Sequence, residues 1–237
     1  MKEVIAMHGW GGDSNRWKPW IESFKKDDWT WQNGERGYGD MTTYMPNWRG
    51  EDHNNSFHKR VVICHSLGSH LIDQEVLQHA THVVLLSSFS RFIPEGKASR
   101  SVKIALEGMQ QAIGTPTEKF MFSNFLKKSI QPHTINSIPG NPIKNGLSEN
   151  GRKKLQEDLQ LLTKTNSLSP GIPTMAKVLV VFGEYDSILN SFTQENLISD
   201  LLRHLQSPPT QWTVPNEGHA LLDIQLITRV KDWLKIN

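Results

Sequence analysis

Four short apolar runs, at residues 4–7, 61–64, 83–86 and 178–182, constrain this chain more than any other feature. Each is continuous rather than alternating, rich in Val, Ile or Leu, and bounded by turn residues. That is the pattern of a strand buried on both faces. Residues 29–32 and 210–214 are weaker strand candidates, and helical periodicities lie at 17–24, 69–77, 195–205 and 221–234. Strands alternating with helices imply an α/β fold, a mostly parallel sheet flanked by helices.

The alternation breaks between residues 91 and 170. Helical patterns at 101–113, 117–128 and 148–162 follow one another there without a strand, and a Pro/Gly/Asn-rich loop at 132–146 separates the last two. An all-helical block between two strands of one sheet reads as an inserted cap. The expected organisation is therefore a core of residues 1–90 and 171–237 with a helical cap at 91–170.

Composition removes several function classes. With 26 Lys and Arg against 24 Asp and Glu, the net charge of +2 supplies no broad basic face for a nucleic-acid coat. The single cysteine forbids an internal disulfide framework and points to a reducing, cytoplasmic setting. The apolar run at the N-terminus stops at His8, so no signal peptide is expected, and no stretch approaches the ~20 apolar residues of a membrane span. Ten histidines show no metal-ligand spacing such as H-E-x-x-H. His53 and His58 fall in a polar stretch, and His79 and His82 bracket a helix-to-strand turn. No metal or other cofactor is expected.

The chemistry concentrates at strand ends. Cys64-His65-Ser66-Leu67-Gly68 follows the second strong strand and opens a helix. A serine held in a strained turn between small neighbours is the nucleophile elbow G-x-S-x-G, with Cys64 in place of the first glycine. Cys64 itself reads as a buried small residue, and His65 as packing in the elbow, pointed away from Ser66. His8-Gly9-Trp10-Gly11-Gly12 follows the first strand, where backbone can approach closely. The N–H groups of Trp10 and Leu67 are the expected oxyanion donors. Asp186 follows the strand at 178–182, and His219 follows the one at 210–214. Ser, Asp and His then stand in the chain order that such a triad requires: His219 as general base and acid, Asp186 as its orienter. A lone Asp after a strand is usually a helix cap. Four pieces at four strand ends favour the triad.

On these residues the sequence resembles the α/β-hydrolases, through His8-Gly9-Trp10-Gly11, Glu35-Arg36-Gly37-Tyr38-Gly39, Cys64-His65-Ser66-Leu67-Gly68, Gly183-Glu184-Tyr185-Asp186 and Gly218-His219. The resemblance implies that the two strands usual before the oxyanion turn are missing here, a shortened version of the fold. A narrower resemblance is to the pimeloyl-acyl-carrier-protein methyl ester esterases of biotin synthesis. It is carried by His8-Gly9-Trp10-Gly11 with Ser66-Leu67, by Ser87-Ser88, and by short cap segments including Met109-Gln110-Gln111, Gly114-Thr115-Pro116-Thr117-Glu118 and Asp158-Leu159. It implies a serine carboxylesterase that releases methanol and pimeloyl-carrier protein.

A carrier protein is acidic, so that reading demands a basic docking face. Residues 91–170 hold 12 Lys and Arg against 6 Asp and Glu, net +6, while the rest holds 14 against 18, net −4. The docking candidates are Arg100, Lys103, Lys127, Lys128, Arg152, Lys153 and Lys154. Lys-rich helical insertions are equally common for solubility alone. Trp10, Phe120, Met121, Phe122 and Phe125 are candidates for an acyl pocket, although cap-to-core packing explains each as simply. Two other functions use the same fold: a short-acyl esterase, thioesterase or menaquinone-pathway lyase, and a small-molecule receptor without turnover. The expected partner is the acyl-carrier protein that bears the substrate, and the expected state is a monomer.

Overall fold

A computed structural model describes residues 1–49, 59–138 and 140–237; His53 and His58 lie outside them. All six expected strands form: β1 (Lys2–Met7), β2 (Thr30–Asn33), β3 (Lys59–His65), β4 (His82–Leu86), β5 (Lys177–Gly183) and β6 (Thr210–Val214). They make one sheet in the order β2-β1-β3-β4-β5-β6, and every neighbouring pair is parallel.

Successive side chains of a strand point to opposite faces, so a strand covered on both sides must be apolar at every position. Ile5, Met7, Val62, Cys64, Val83, Leu85, Val178 and Val180 face one layer. Val4, Ala6, Val61, Ile63, Val84, Leu86, Leu179 and Val181 face the other. The second face is covered by α1 (Lys18–Lys25) and α9 (Gln225–Ile236), through Trp20, Phe24, Leu226, Val230 and Trp233. The first is covered by α2 (Gly68–Leu71), α3 (Gln74–Gln78) and α8 (Ser191–His204).

The helix expected over 69–77 is interrupted. Ile72 is extended, and Asp73, also extended, stands at the N-cap of α3. The extended Ile72 ends one helix, and the Asp73 carbonyl starts the next by accepting from the Val76 and Leu77 N–H groups at 3.1 and 3.3 Å, a break that the apolar periodicity alone does not reveal. The last helix starts at Gln225 rather than 221, because Leu221 takes a positive φ of 48° and the Asp223 carboxylate accepts from the Gln225 N–H at 2.8 Å.

Between β4 and β5 the chain forms α4 (Ala98–Ala112), α5 (Glu118–Ile130), α6 (Pro142–Asn145) and α7 (Glu149–Lys164). Leu106, Phe122, Leu155, Leu159 and Leu162 of these helices join the apolar cluster of the first sheet face. A buried polar link also ties the cap to the core. Asp158 on α7 accepts from Arg36 Nε at 2.9 Å and Nη2 at 2.6 Å, and from the Tyr38 hydroxyl at 2.6 Å. Among the described residues no helix is long and apolar enough to cross a membrane.

Candidate active site

Parallel strands all end on one edge, and the loops leaving β1, β3, β5 and β6 meet there. Ser66 follows β3 directly with φ 53°, a conformation that costs a non-glycine residue ~1–3 kcal/mol. Gly68 explains why the turn tolerates no larger residue: a Cβ there would lie 2.4 Å from the Met7 carbonyl oxygen. The turn after β1 comes equally close, since a Cβ on Gly9 would sit 2.9 Å from that of Ser66. Cys64 is fully buried in β3, and burial pushes its thiol up, away from thiolate.

His219 Nε2 lies 3.0 Å from Ser66 Oγ, and its Nδ1 lies 2.9 Å from Asp186 Oδ2. The other Asp186 oxygen accepts from the Ile188 and Leu189 N–H groups, both at 2.9 Å. Burial pushes the Asp186 carboxyl up. The charge and hydrogen bond of His219, with those two N–H donors, outweigh it and hold the group below the usual carboxylate range. With its carboxylate fixed by backbone, Asp186 can hold the His219 ring as the Nδ1–H tautomer, which leaves Nε2 free to accept the serine proton.

The His219 loop is braced from the cap. The Ala220 N–H donates to the Ser129 carbonyl at 2.8 Å, and Glu217 contacts His133 Nε2 at 3.0 Å. A Cβ on Gly218 would lie 2.1 Å from the Gln131 carbonyl oxygen, so only glycine lets the loop pass the end of α5. His65 does not simply pack in the elbow. Its Nε2 bonds the His219 carbonyl oxygen at 2.9 Å, and burial holds the ring well below the usual imidazole range, hence neutral.

Among the described residues, the Trp10 and Leu67 N–H groups donate to no protein acceptor. Leu67 follows Ser66 in the chain, and Trp10 follows Gly9, the residue whose Cβ would meet that of Ser66, so both N–H groups stay candidates for an oxyanion. The Trp10 indole donates to the Leu155 carbonyl on α7 at 2.9 Å, so the turn is tied to the cap. The Glu35 carboxylate accepts from the Ser14 and Gly37 N–H groups, both at 2.8 Å, and lies 3.4 Å from His8 Nε2 at the start of the turn.

Ser66 and His219 open into a cavity of about 750 Å³, within the range of small-molecule sites. Trp10, Phe120 and Phe125 line it as expected; Phe120 is 72% exposed and so stands at the mouth. Phe122 is a correction. It is not among the described residues lining the cavity but is buried behind Trp10, ring centroids 5.9 Å apart. At helical spacing, the inward and backing positions of consecutive aromatics cannot be told apart from sequence. Met121, also a candidate, lines it too, and Leu106, Met109 and Leu159 take wall positions that the sequence did not single out.

The basic cap residues divide in two. Arg100, Lys103, Lys127, Lys128 and Lys153 are exposed. Arg152 and Lys154 do not form a free docking cluster with Lys153. Arg152 makes a two-pronged pair with Glu118 at 2.8 and 2.9 Å. Lys154 Nζ donates to the Arg36 carbonyl at 2.8 Å and to Thr43 Oγ1. These bonds hold α7 to α5 and to the core, which accounts for cations near a helix start. Among the described residues no group of three or more His, Cys, Asp or Glu side chains is placed to hold a metal ion.

No protein-family model and no curated protein matches this chain. Solved structures do. An esterase, EaEST, from Exiguobacterium antarcticum superposes with a TM-score of 0.66 at 12% identity, over 99% of this chain and 92% of that one. The bottromycin epimerase BotH gives 0.64 at 12% identity, over 98% and 90%. The α/β hydrolase MGS-M2, from a Medee basin deep-sea metagenome library, gives 0.63 at 12% identity, over 98% and 89%. The fold is that of the α/β-hydrolases. An esterase and an epimerase share it, so the reaction must be argued from the site itself.

Proposed function

We propose that this protein is a serine carboxylesterase with Ser66 as nucleophile, His219 as general base and acid, and Asp186 as the residue that orients it. The observation that carries the reading is the continuous hydrogen-bond relay Ser66–His219–Asp186 in the wall of a largely apolar cavity. His219 Nε2 takes the Ser66 proton as Oγ attacks the ester carbonyl carbon. The resulting oxyanion meets the N–H groups of Trp10 and Leu67. Collapse breaks the ester C–O bond, and the imidazolium returns its proton to the leaving alcohol. Water, deprotonated by His219, then attacks the acyl-enzyme. The carboxylic acid leaves, and the proton goes back to Ser66 Oγ.

As preferred substrate we propose the methyl ester of pimeloyl-acyl-carrier protein, with methanol as leaving group. Its support is the sequence resemblance, the apolar cavity beneath the cap, and the exposed cations Arg100, Lys103, Lys127 and Lys128 on α4 and α5. Lys128 also lines the cavity, where a tethered acyl chain would enter. The engagement of Arg152 and Lys154 within the fold thins this basic face and favours a second reading, a small-ester esterase with no carrier. The deciding experiment compares hydrolysis of carrier-bound methyl pimelate with that of short p-nitrophenyl esters, using wild type and Ser66→Ala. Faster turnover of the carrier substrate, lost in Ser66→Ala, supports the first reading; equal turnover supports the second. Unchanged turnover in Ser66→Ala overturns both.

A further inference from the structure

The cavity at Ser66 has two kinds of wall. The cap supplies the apolar one. The other comes from the turn after β1, from Pro19 and Trp20 of α1, and from the chain just past His219. Arg16 stands in this second wall. Its Nη2 donates to the Ala220 carbonyl at 3.2 Å, and its guanidinium carbon lies 5.0 Å from the centre of the Trp17 ring. Its Nε–H is buried and reaches no acceptor.

Two carboxylates line the same cavity, and neither neutralises this charge at contact. Asp13 is occupied by Asn15, accepting from its backbone N–H at 2.9 Å and its side chain at 3.1 Å. Asp223 caps α9. Among the described residues no carboxylate comes within the 4.0 Å ion-pair distance of Arg16. The cavity's other cation, Lys128, is exposed to solvent. Burial pushes the Arg16 guanidinium down to about 10 against the smaller raising pull of Asp13, although the side chain is only half-buried. Cations drawn even partly out of water are normally paired, because desolvation penalises them. A guanidinium whose Nη1 meets no protein acceptor among the described residues, in the wall of a reactive cavity, is suited to a ligand that brings the anion.

We infer that Arg16 is a specificity-determining residue that receives an anionic oxygen group, a carboxylate or a phosphate, on the non-reacting part of the ester held at Ser66. The inference rests on the esterase reading above and narrows its substrate class. A guanidinium suits both groups, since its fixed fork of donors matches their paired oxygens. The two have different sources. A carboxylate would be the free end of a small dicarboxylate monoester. A phosphate would belong to the prosthetic arm of a carrier.

Three methyl esters of similar length separate these cases: monomethyl pimelate, the methyl ester of a phosphorylated hydroxyhexanoate, and neutral dimethyl pimelate. Wild type is expected to favour one anionic ester over the neutral one by about tenfold or more in kcat/KM, mostly through KM. In Arg16→Met that ratio is expected to fall to about one, and in Arg16→Lys, which keeps charge but not the fork, to lie between. The ratio is the readout because loss of the Ala220 contact would slow all three esters together. Calorimetric binding of the same esters to Ser66→Ala, with and without Arg16→Met, tests the site without turnover. Should Arg16→Met not fold, the preference of Ser66→Ala for anionic over neutral ester decides alone. Equal turnover of all three esters, with binding indifferent to Arg16, overturns the anion site and leaves the esterase standing. No turnover of any ester, with Arg16-dependent anion binding, keeps the site and removes the esterase reading.

Discussion

The ring of His65 stands edge-on to that of His219, with centroids 5.2 Å apart, and its Nε2 holds the His219 carbonyl oxygen at 2.9 Å. The residue before the candidate nucleophile thus fixes the backbone of the candidate base. This link joins the β3 and β6 loops without passing through the reacting atoms, and it requires a proton on His65 Nε2, which the buried neutral ring carries as its Nε2–H tautomer.

His65→Ala should therefore lower kcat about tenfold with little change in KM, while His65→Gln, whose amide can still donate, should recover part of the loss. A pH test follows from the same burial. The folded-state pKa of His65 is held well below the usual 6.5, so the unfolded chain binds the extra proton first. The stability tied to this ring is present above pH 6.5 and is lost as pH falls below it. Urea unfolding of His65→Gln should show a flatter decline than wild type between pH 6.5 and 5. An unchanged slope would remove this account of the ring.

Ser66 gives a stability prediction of unusual sign. Its positive φ of 53° is a strain that glycine does not feel. Ser66→Gly should abolish ester hydrolysis yet raise stability by ~1 kcal/mol, seen as a rise of about 2–4 °C in Tm for a chain of this size. A lower Tm would mean that the hydrogen bond to His219 outweighs the strain.

Much of this arrangement was legible in the sequence, and the reason is physical. A strand buried on both faces must be apolar throughout, so residues 61–64 and 178–182 declared themselves, and the loops leaving such strands must converge on one edge. Even the weaker run at 210–214 matched β6 to the residue. What the sequence hid depends on contacts between distant segments. Nothing local marks Asp158 as the partner of Arg36 and Tyr38, some 120 positions away. Nor does anything near Arg152 announce Glu118, so its charge read as a docking surface. Phe122 and Phe125 both pack on Trp10, and only the fold decides which of them also faces the cavity. Arg16 carried no signal, because a lone cation after a glycine turn is ordinarily solvated.

Asp158 is 2% exposed and satisfies two Arg36 nitrogens and the Tyr38 hydroxyl. Removing one partner of a buried pair leaves the others desolvated and uncompensated. Asp158→Ala should destabilise the fold by ~3 kcal/mol in urea unfolding. It should also reduce ester turnover, because α7 carries the Leu155 carbonyl that holds the Trp10 ring. The triple variant Arg36→Met/Tyr38→Phe/Asp158→Leu should recover most of the stability, since apolar packing replaces the network with neither an orphaned charge nor an orphaned hydroxyl. A triple variant as unstable as the single one would show that the network is needed for more than polar balance.

The cations of the cap separate by the same reasoning. Arg152 is spent on Glu118, whose carboxyl is held below its usual range first by that guanidinium, so Arg152→Glu sets two carboxylates against each other across α5 and α7. Its expected effect is a loss of stability of ~1 kcal/mol or more, with the salt dependence of catalysis unchanged. Lys127 and Lys128 form no ion pair among the described residues and are exposed at the end of α5. Lys127→Glu/Lys128→Glu should leave Tm nearly unchanged but lower kcat/KM for an acidic carrier-bound ester several-fold at low ionic strength. The difference should fade above ~0.3 M salt, where the screening length falls well below 10 Å. A free methyl ester tested alongside should show no such salt-dependent loss. If the charge-reversed lysines left carrier turnover intact at low salt while Arg152→Glu reduced it, the docking face would have to be moved to α7.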